Sequence, residues 1–330
     1  MKRGAPISAL AFIPLVAAFA GHAMAQQKAV PEYPSRAIRM VVPYPAGSSI
    51  DFSGHVLGQK FGAVYGQNFF IENRSGAAGA IGADIVAKAA PDGYTMLLTS
   101  SSHTSLPSVA KSLPYDTIKD FAPVTLAARS VGSVLIVHPS VPARTVAEFI
   151  AVAKARPNTL NYGSGGIGNL MHFAAELFNV AAGTQTTHVP YKGSAQVIVD
   201  LAGGRIDMSV MSAVSSVGYI RSGKVRALAI TAPQRWDKLA DVPTMEEAGV
   251  RDCVYAAWYG FWFPAGTPVE YITRFHAETV KAFEDAAIRR KFTDEGLIPV
   301  GAAPLEFSRV IAADIDFHRR LVARIGLQKQ

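Results

Sequence analysis

Cysteine is nearly absent from this sequence, and its scarcity excludes several classes of protein. Cys253 is the only cysteine among 330 residues, so the chain can form neither an intramolecular disulfide nor a thiolate metal cluster. The chain also lacks an H-E-x-x-H motif, a C-x-x-C motif and a G-x-S-x-G motif. We therefore predict no metal site and no cofactor, and the motifs of common hydrolases and metalloenzymes do not indicate an enzyme.

Charged residues are also few, at 17% of the chain, and they form no long run of one sign. The formal net charge is +7, but the basic residues are scattered and are not interleaved with aromatic residues. This distribution argues against nucleic acid as a partner. A mildly positive surface is compatible with an anionic small ligand.

The N-terminus has the form of a secretory signal peptide. A positively charged start precedes the mostly apolar residues 7–20, and Ala23 and Ala25 are small residues that suit a cleavage site before Gln26. A membrane anchor is the alternative, but the run is short for a span and no later segment is long enough either. We therefore predict export to the periplasm with removal of residues 1–25.

Strand and helix patterns alternate along the rest of the chain. Apolar runs typical of strands occur at 38–42, 68–72 and 94–99, and helical spacing of apolar residues occurs at 51–65 and 79–89. This βαβαβ order predicts a parallel sheet with right-handed crossovers.

A second α/β unit follows the first, and the two units together predict two lobes. The chain is too long for one small core, and no Gly/Ser-rich linker separates the units. Two extended crossings would join such lobes, one near 125–136 and one near 254–264. We assign residues 1–25 to the signal peptide, residues 26–130 and 255–330 to a discontinuous lobe 1, and residues 131–254 to lobe 2.

Two serine- and glycine-rich turns are the most informative feature of the chain. Each follows an apolar strand and opens a helix, where backbone N–H groups lack intrahelical partners and the helix dipole is positive. Small residues let an anion approach such donors closely. Two turns of this kind, far apart in the sequence, indicate two lobes that hold one anionic ligand. The expected ligand-binding residues are Ala46, Gly47, Ser48 and Ser49 in the first turn and Ser164, Gly165, Gly168 and Asn169 in the second.

Each turn also has an alternative interpretation. The first turn could merely cap its helix, and we expect Asp51 to hydrogen-bond to the loop because its carboxylate would repel an anion. In the second turn, Gly163, Gly165 and Gly168 form G-x-G-x-x-G, a motif of dinucleotide-binding folds. That function requires an acidic residue at the end of the next strand, and residues 187–190 contain none.

Several motifs occur in the order that one known family shows them. They are Val41-Val42-Pro43-Tyr44-Pro45-Ala46-Gly47 with Asp51; Glu72-Asn73-Arg74 with Gly76 and Gly79; Asp92-Gly93-Tyr94; Tyr162-Gly163-Ser164 with Gly168 and His172; Val189-Pro190-Tyr191-Lys192-Gly193; and Gly203-Gly204 with Asp207. Over residues 33–326 the chain thereby resembles the extracytoplasmic solute receptors of the tripartite tricarboxylate transporter system, also called Bug receptors.

This resemblance implies a type II periplasmic-binding-protein fold, with two α/β lobes joined by two extended hinge strands. It also implies capture of a small carboxylate between the two turns, partly through ordered water, and delivery to a membrane permease of a large and a small subunit. We expect a monomer. A co-receptor for a membrane sensor kinase is the main alternative function, and a periplasmic enzyme is a further one.

The chain departs from the family pattern at three places. Ser48 stands where the family usually has a second glycine, and residues 99–104 form a hydroxyl-rich loop that carries His103. Residues 208–212 contain no acid, whereas some relatives that bind amino acids use one, so an amino-acid ligand is disfavoured. His103 could contact the ligand or lie on a surface loop, and we expect His172 to buttress the second turn. Six further candidate ligand-binding residues are Ser101, Ser102, His103, Tyr191, Met211 and Ser212.

Overall fold

The computed structural model describes Met1 and residues 33–329. The predicted signal peptide, with its cleavage site before Gln26, lies outside the described residues apart from Met1. In the part of the chain that is described, no helix combines the length and the apolar character needed to cross a membrane.

Two β-sheets with helices on their faces form the framework. The strands are β1 (Ile38–Val42), β2 (Phe69–Asn73), β3 (Thr95–Ser100), β4 (Phe121–Ser130), β5 (Ser133–Val137), β6 (Asn161–Ser164), β7 (Thr187–Pro190), β8 (Met208–Ser212), β9 (Arg226–Ile230), β10 (Trp258–Pro264) and β11 (Leu297–Ala302). The helices are α1 (Ser49–Tyr65), α2 (Ala80–Ala87), α3 (Ser102–Val109), α4 (Val146–Ala155), α5 (Leu170–Ala182), α6 (Ser194–Ala202), α7 (Ala213–Arg221), α8 (Val269–Glu284), α9 (Ala286–Asp294) and α10 (Pro304–Ile325).

The first sheet has the spatial order β11-β4-β10-β3-β1-β2. Strand β1 pairs in parallel with β2 and β3, which confirms the predicted βαβαβ unit, and β10 runs antiparallel to β3 and β4. Helices cover both faces, so Met40 and Val41, whose side chains point to opposite faces, are both fully buried.

The second sheet has the spatial order β7-β6-β8-β5-β9. Strand β6 pairs in parallel with β7 and β8, whereas β5 runs antiparallel to β8 and β9. The carboxyl ends of β6 and β8 therefore lie at one edge of this sheet, as those of β1 and β3 do in the first. Ligands of open α/β sheets bind outside such carboxyl ends.

The chain passes between the sheets twice. It leaves β4 and enters β5 through residues 131–132, and it returns through residues 253–257 to β10. The two passages lie side by side, because the Ser130 N–H donates to the Ala257 carbonyl at 2.7 Å. Gly132 has φ +98°, and a Cβ there would lie 2.9 Å from the Ala232 Cβ, so this passage requires glycine.

Helix α10 lies within residues 255–330, which the sequence predicts to belong to lobe 1, and it packs against both sheets. Its first half contributes Phe307 and Ile311 to the core of the first sheet. Leu321, near its end, packs in the core of the second sheet with α4 and α5. A helix of 22 residues is about 33 Å long, long enough to pack against two lobes.

Some element boundaries also differ from those predicted. The hydroxyl-rich loop at 99–104 is instead the end of β3 and the first turn of α3. Strand β10 begins at Trp258 rather than at 254, because residues 253–257 are the second passage between the sheets. A 3₁₀ turn at Ala77–Gly79 precedes α2, which starts one residue later than expected.

Candidate functional site

Asp51 holds the first serine- and glycine-rich turn in shape through hydrogen bonds. This residue lies at the beginning of helix α1. Its Oδ2 accepts a hydrogen bond from the Gly47 N–H at 2.9 Å, and its Oδ1 accepts one from Asn73 Nδ2 at 2.8 Å. The Ser48 side chain caps α1 by accepting from the Asp51 N–H. Asp51 is buried, and its predicted role as a hydrogen-bond partner of the loop is confirmed.

The unpaired donors of this turn are fewer than the sequence predicted. The Ser48 N–H and hydroxyl both donate to the Pro45 carbonyl, at 3.3 and 2.8 Å. In contrast, the N–H groups of Ala46, Ser49 and Ile50 have no hydrogen-bond acceptor within residues 33–329, and neither has the Ser49 hydroxyl. These groups lie at the positive end of α1, where an anion is stabilised.

A hydroxyl cluster that the sequence analysis missed adjoins the first turn. The Tyr44 hydroxyl lies 2.7 Å from Ser100 Oγ, and the Ser102 N–H donates to the same Ser100 oxygen at 3.3 Å. The cluster forms because β1 and β3 are parallel neighbours, so the residues at and just after their carboxyl ends meet at one edge of the sheet. The hydroxyl-rich sequence after β3 was the available signal.

Two histidines beneath the second turn hold it in place through hydrogen bonds. Ser164 is fully buried, and its Oγ lies 2.7 Å from His188 Nε2 and 3.0 Å from the Gly166 carbonyl. The Gly168 N–H donates to His172 Nδ1 at 3.0 Å. The buttressing role predicted for His172 is thus confirmed, whereas the Ser164 hydroxyl and the Gly168 N–H are already paired inside the protein.

The unpaired donors of the second turn lie at its centre and at the start of α5. Within residues 33–329, the N–H groups of Gly165, Ile167 and Leu170 have no hydrogen-bond acceptor. Asn169 Oδ1 caps α5 by accepting from the His172 N–H, which leaves Nδ2 as a further donor. A Cβ on Gly165 would lie 2.5 Å from this Nδ2, so the turn requires glycine beside the amide.

His172 and His188 form a stacked pair with Tyr162. The two imidazole centroids are 4.2 Å apart, and the Tyr162 ring lies 4.7 Å from His188. Burial, together with the neighbouring His188, lowers the pKa of His172 to about 4, and burial also lowers the pKa of His188. Both rings are neutral near pH 7, and a neutral His172 Nδ1 is able to accept the Gly168 N–H.

We expect His172→Leu to weaken ligand binding by about three- to tenfold, because the Gly168 N–H loses its acceptor and the turn loosens. His172→Gln is the matched variant, since its side-chain oxygen can still accept that hydrogen bond. Isothermal titration calorimetry on both variants measures the effect. Equal affinities of the Leu and Gln variants would contradict the role assigned to Nδ1.

Helix α3 connects the neighbourhoods of the two turns. It starts beside the Tyr44–Ser100 cluster and ends at Val109, and a Cβ on Gly168 would lie 3.4 Å from the Val109 Cβ. A helix of eight residues is about 12 Å long. Helix α3 therefore runs from beside the first turn to the second turn, and the turns lie at the carboxyl ends of β1 and β6.

His103 does not line the space between the lobes. Its ring is 2% exposed and packs among Tyr115, Phe121 and Trp262, so it is neither a surface loop residue nor a group on the cleft wall. Both ring nitrogens lack a hydrogen-bond partner in the described part of the chain. Burial lowers the pKa of His103 to about 3, so the ring is neutral near pH 7.

The structure also shows the surroundings of four other candidates. Met211 is 1% exposed and lies in the core of the second lobe. The Tyr191 hydroxyl donates to Asp200 Oδ2 at 2.9 Å. Ser101 lines a cavity beside the chain passages that contains none of the turn residues, and Ser212 is exposed where α7 begins. Of the residues after β3, only Ser102 adjoins the first turn.

Comparison with known proteins assigns this arrangement to a family. Residues 56–327 match the model of the tripartite tricarboxylate transporter family receptor. The chain belongs to this family. The match begins within α1, a few residues after the first turn, and it includes the whole second turn.

Individual relatives of this receptor extend the comparison. Protein BugT of Bordetella pertussis is 35% identical over 296 residues, which cover 89% of the receptor and 90% of BugT. The structure of Rpa4515 from R. palustris with adipate is 33% identical with a TM-score of 0.79, covering 90% of the receptor and 100% of that chain. MatC from Rhodopseudomonas palustris with bound malate is 29% identical with a TM-score of 0.75, covering 88% and 100%.

The predicted fold class is confirmed by this similarity. Solved structures that match the receptor with TM-scores of 0.75 or higher include a periplasmic binding protein. The predicted family membership is confirmed as well. The receptor is therefore an α/β solute-binding protein, in which the two helix-start turns are candidates for the binding site.

Proposed function

We propose that this receptor captures a small organic carboxylate between its lobes in the periplasm and delivers it to a tripartite-type membrane permease. The observation that carries the proposal is the pair of helix starts, α1 and α5, whose unpaired N–H groups lie near the two ends of α3. Neither turn contains a lysine or an arginine, so the ligand charge is met by amide and hydroxyl dipoles.

The number of donors suits a carboxylate bound with micromolar affinity. The first turn offers the N–H groups of Ala46, Ser49 and Ile50, and the second offers those of Gly165 and Ile167. Each hydrogen bond to a charged group contributes roughly 1.5–3 kcal/mol. A few of them, less the cost of ordering the ligand and the lobes, amount to about −8 kcal/mol, which corresponds to a micromolar Kd.

Two similar structures support the ligand class. Rpa4515 is described with adipate and MatC with malate, and both ligands are dicarboxylates. Asp51 does not oppose this proposal, because its carboxylate oxygens already accept hydrogen bonds from Gly47 and Asn73. The N-terminal sequence, with its apolar run and small residues before Gln26, supports a periplasmic location.

We expect the lobes to close on the ligand, because the hydrogen-bond donors are divided between the two lobes. Because each lobe supplies only part of the donor set, a carboxylate binds the closed form more tightly and shifts the lobes toward it. The passages at 131–132 and 253–257 are the points about which the lobes can rotate. The closed surface is then the form that a permease recognises.

Titration calorimetry with a panel of carboxylates tests the ligand class. We expect a micromolar Kd for at least one of adipate, malate, succinate and benzoate, together with an increase in the thermal midpoint. Adipamide and malamide are the matched neutral controls, and they should bind at least about 100-fold more weakly because they lack the charge. No heat and no thermal shift with any carboxylate would contradict the proposal.

A further inference from the structure

A cavity of about 790 Å³ lies between the lobes, away from the two turns. In the first sheet β4 and β10 separate β11 from β3 and β1, and in the second sheet β5 separates β9 from β8 and β6. The cavity adjoins the start of β11 and residues 232–238, which follow β9. It is therefore on the opposite side of the chain passages from the proposed carboxylate site.

The walls of this cavity are mostly apolar, and they come from both lobes. Trp236 comes from the second lobe, while Leu297, Ile298 and Val310 come from the first, and Phe317 lies on α10 between them. A cavity of this size at a domain interface, with apolar walls and a few polar groups, is typical of small-molecule sites. The aromatic rings of Trp236 and Phe317 favour a flat apolar ligand.

Arg129 is an unpaired cation at this cavity. Its guanidinium forms no ion pair and no side-chain hydrogen bond within residues 33–329. The other two cations are engaged, since Arg235 pairs with Glu247 at 2.7 Å and Lys238 donates to the Asp294 carbonyl at 2.9 Å. Arg129 stands beside Trp258 and Ile298 in the sheet register, so its charge adjoins the apolar wall.

Three acidic residues also line the cavity, namely Asp237, Asp294 and Asp314. Of these, Asp314 is close enough to Arg129 for the two charges to interact. Asp314 on α10 accepts a hydrogen bond from the Thr104 hydroxyl and lies 3.7 Å from His318 Nδ1. Burial raises the pKa of Asp314, which disfavours its charged form. No ion pair joins Arg129 to any of the three carboxylates within residues 33–329.

The geometry points to a second binding site in this cavity, for an aromatic compound that carries one anionic group. The aromatic part lies against Trp236 and Phe317, and the anionic group pairs with Arg129. This assignment is independent of the proposed carboxylate site, because the two sites share no residue.

Titration calorimetry with 1-anilinonaphthalene-8-sulfonate tests this site. We expect saturable binding to the folded protein and about tenfold weaker binding to Arg129→Gln. Ile298→Trp narrows the cavity and should weaken binding at least about tenfold. Val300→Trp is the matched control, since Val300 is exposed on the same strand but does not line the cavity.

Three results of the affinity measurements would overturn the assignment. They are no saturable binding to the wild-type protein, unchanged affinity of Ile298→Trp, and equal loss in Ile298→Trp and Val300→Trp. Thermal unfolding of each variant shows whether it is folded. Competition by a carboxylate that binds at the two turns would place the probe there instead and would also contradict the second site.

Discussion

Replacing Ser49 by proline is expected to weaken carboxylate binding by about 10- to 100-fold without unfolding the protein. Ser49 is the first residue of α1, and its N–H and hydroxyl have no acceptor within residues 33–329. Proline removes both donors, yet it suits the first position of a helix, where the N–H is unpaired in any case. The preceding Ser48 is extended, at φ −75° and ψ 157°, as the residue before proline prefers to be.

Ser49→Ala separates the two donors, because it removes the hydroxyl and keeps the N–H. We expect Ser49→Ala to weaken binding by less than about tenfold, so most of the proline effect should come from the backbone. Titration calorimetry gives the affinities, and a thermal midpoint within about 3 °C of the wild type shows that the fold is kept. Equal effects of Ala and Pro would assign the binding to the hydroxyl alone, and no effect of either would remove the first turn from the site.

The second lobe offers a corresponding position at the start of α5. Leu170 is the first residue of that helix, and the preceding Asn169 is extended, at φ −79° and ψ 170°. Leu170→Pro, compared with Leu170→Ala to account for the lost side chain, removes the corresponding N–H. If both lobes hold one ligand, Leu170→Pro in the second lobe should weaken carboxylate binding as Ser49→Pro does in the first.

The strands, the order of the elements and the position of the two turns could be predicted from the sequence. Apolar runs such as 38–42 and glycine-rich turns such as 163–168 are local signals, and each local preference agrees with the final fold. The role of Asp51 was also predictable, because a carboxylate in the first turn of a helix has few alternatives to the nearby N–H groups.

The set of free donors could not be predicted, because it depends on partners from other strands. Ser164 is paired with His188, which the register of β6 and β7 brings beneath the turn. Gly168 is paired through His172, and Asp51 is oriented by Asn73 at the end of β2. Sequence patterns show which groups are able to donate, whereas tertiary structure decides which of them remain unpaired.

The position of His103 shows a second limit. Serine and threonine around it are typical of a loop, but here they form the first turn of α3, which packs its buried face on aromatic residues. The packing partners Tyr115, Phe121 and Trp262 come from three other segments, so no local pattern could indicate that this histidine is buried. Helix α10 was assigned to one lobe for a similar reason, since its pattern shows an apolar face but not what that face contacts.

His103→Phe is expected to reduce the loss of stability that the protein suffers in acid. Burial lowers the pKa of His103 to about 3 in the folded state, whereas the unfolded chain binds a proton near pH 6.5. The free energy of unfolding is therefore fully retained above about pH 6.5 and decreases as the pH falls from 6.5 toward 3. Between pH 8 and pH 5 the contribution of this one residue is a loss of about 2 kcal/mol, which the Phe variant should not show.

Denaturant unfolding at pH 8 and pH 5 measures this difference directly. The other histidines with lowered pKa values, His172, His188 and His318, are present in both proteins, so their contributions cancel in the comparison. His55→Gln is the control for the loss of an exposed histidine, because the His55 side chain is 64% exposed. Phe also retains the aromatic packing without two unpaired ring nitrogens, so stability at pH 8 should rise by about 1 kcal/mol. An unaltered pH dependence in His103→Phe would show that the His103 ring is not both buried and neutral. A loss of carboxylate binding in the same variant would return His103 to the candidate binding site.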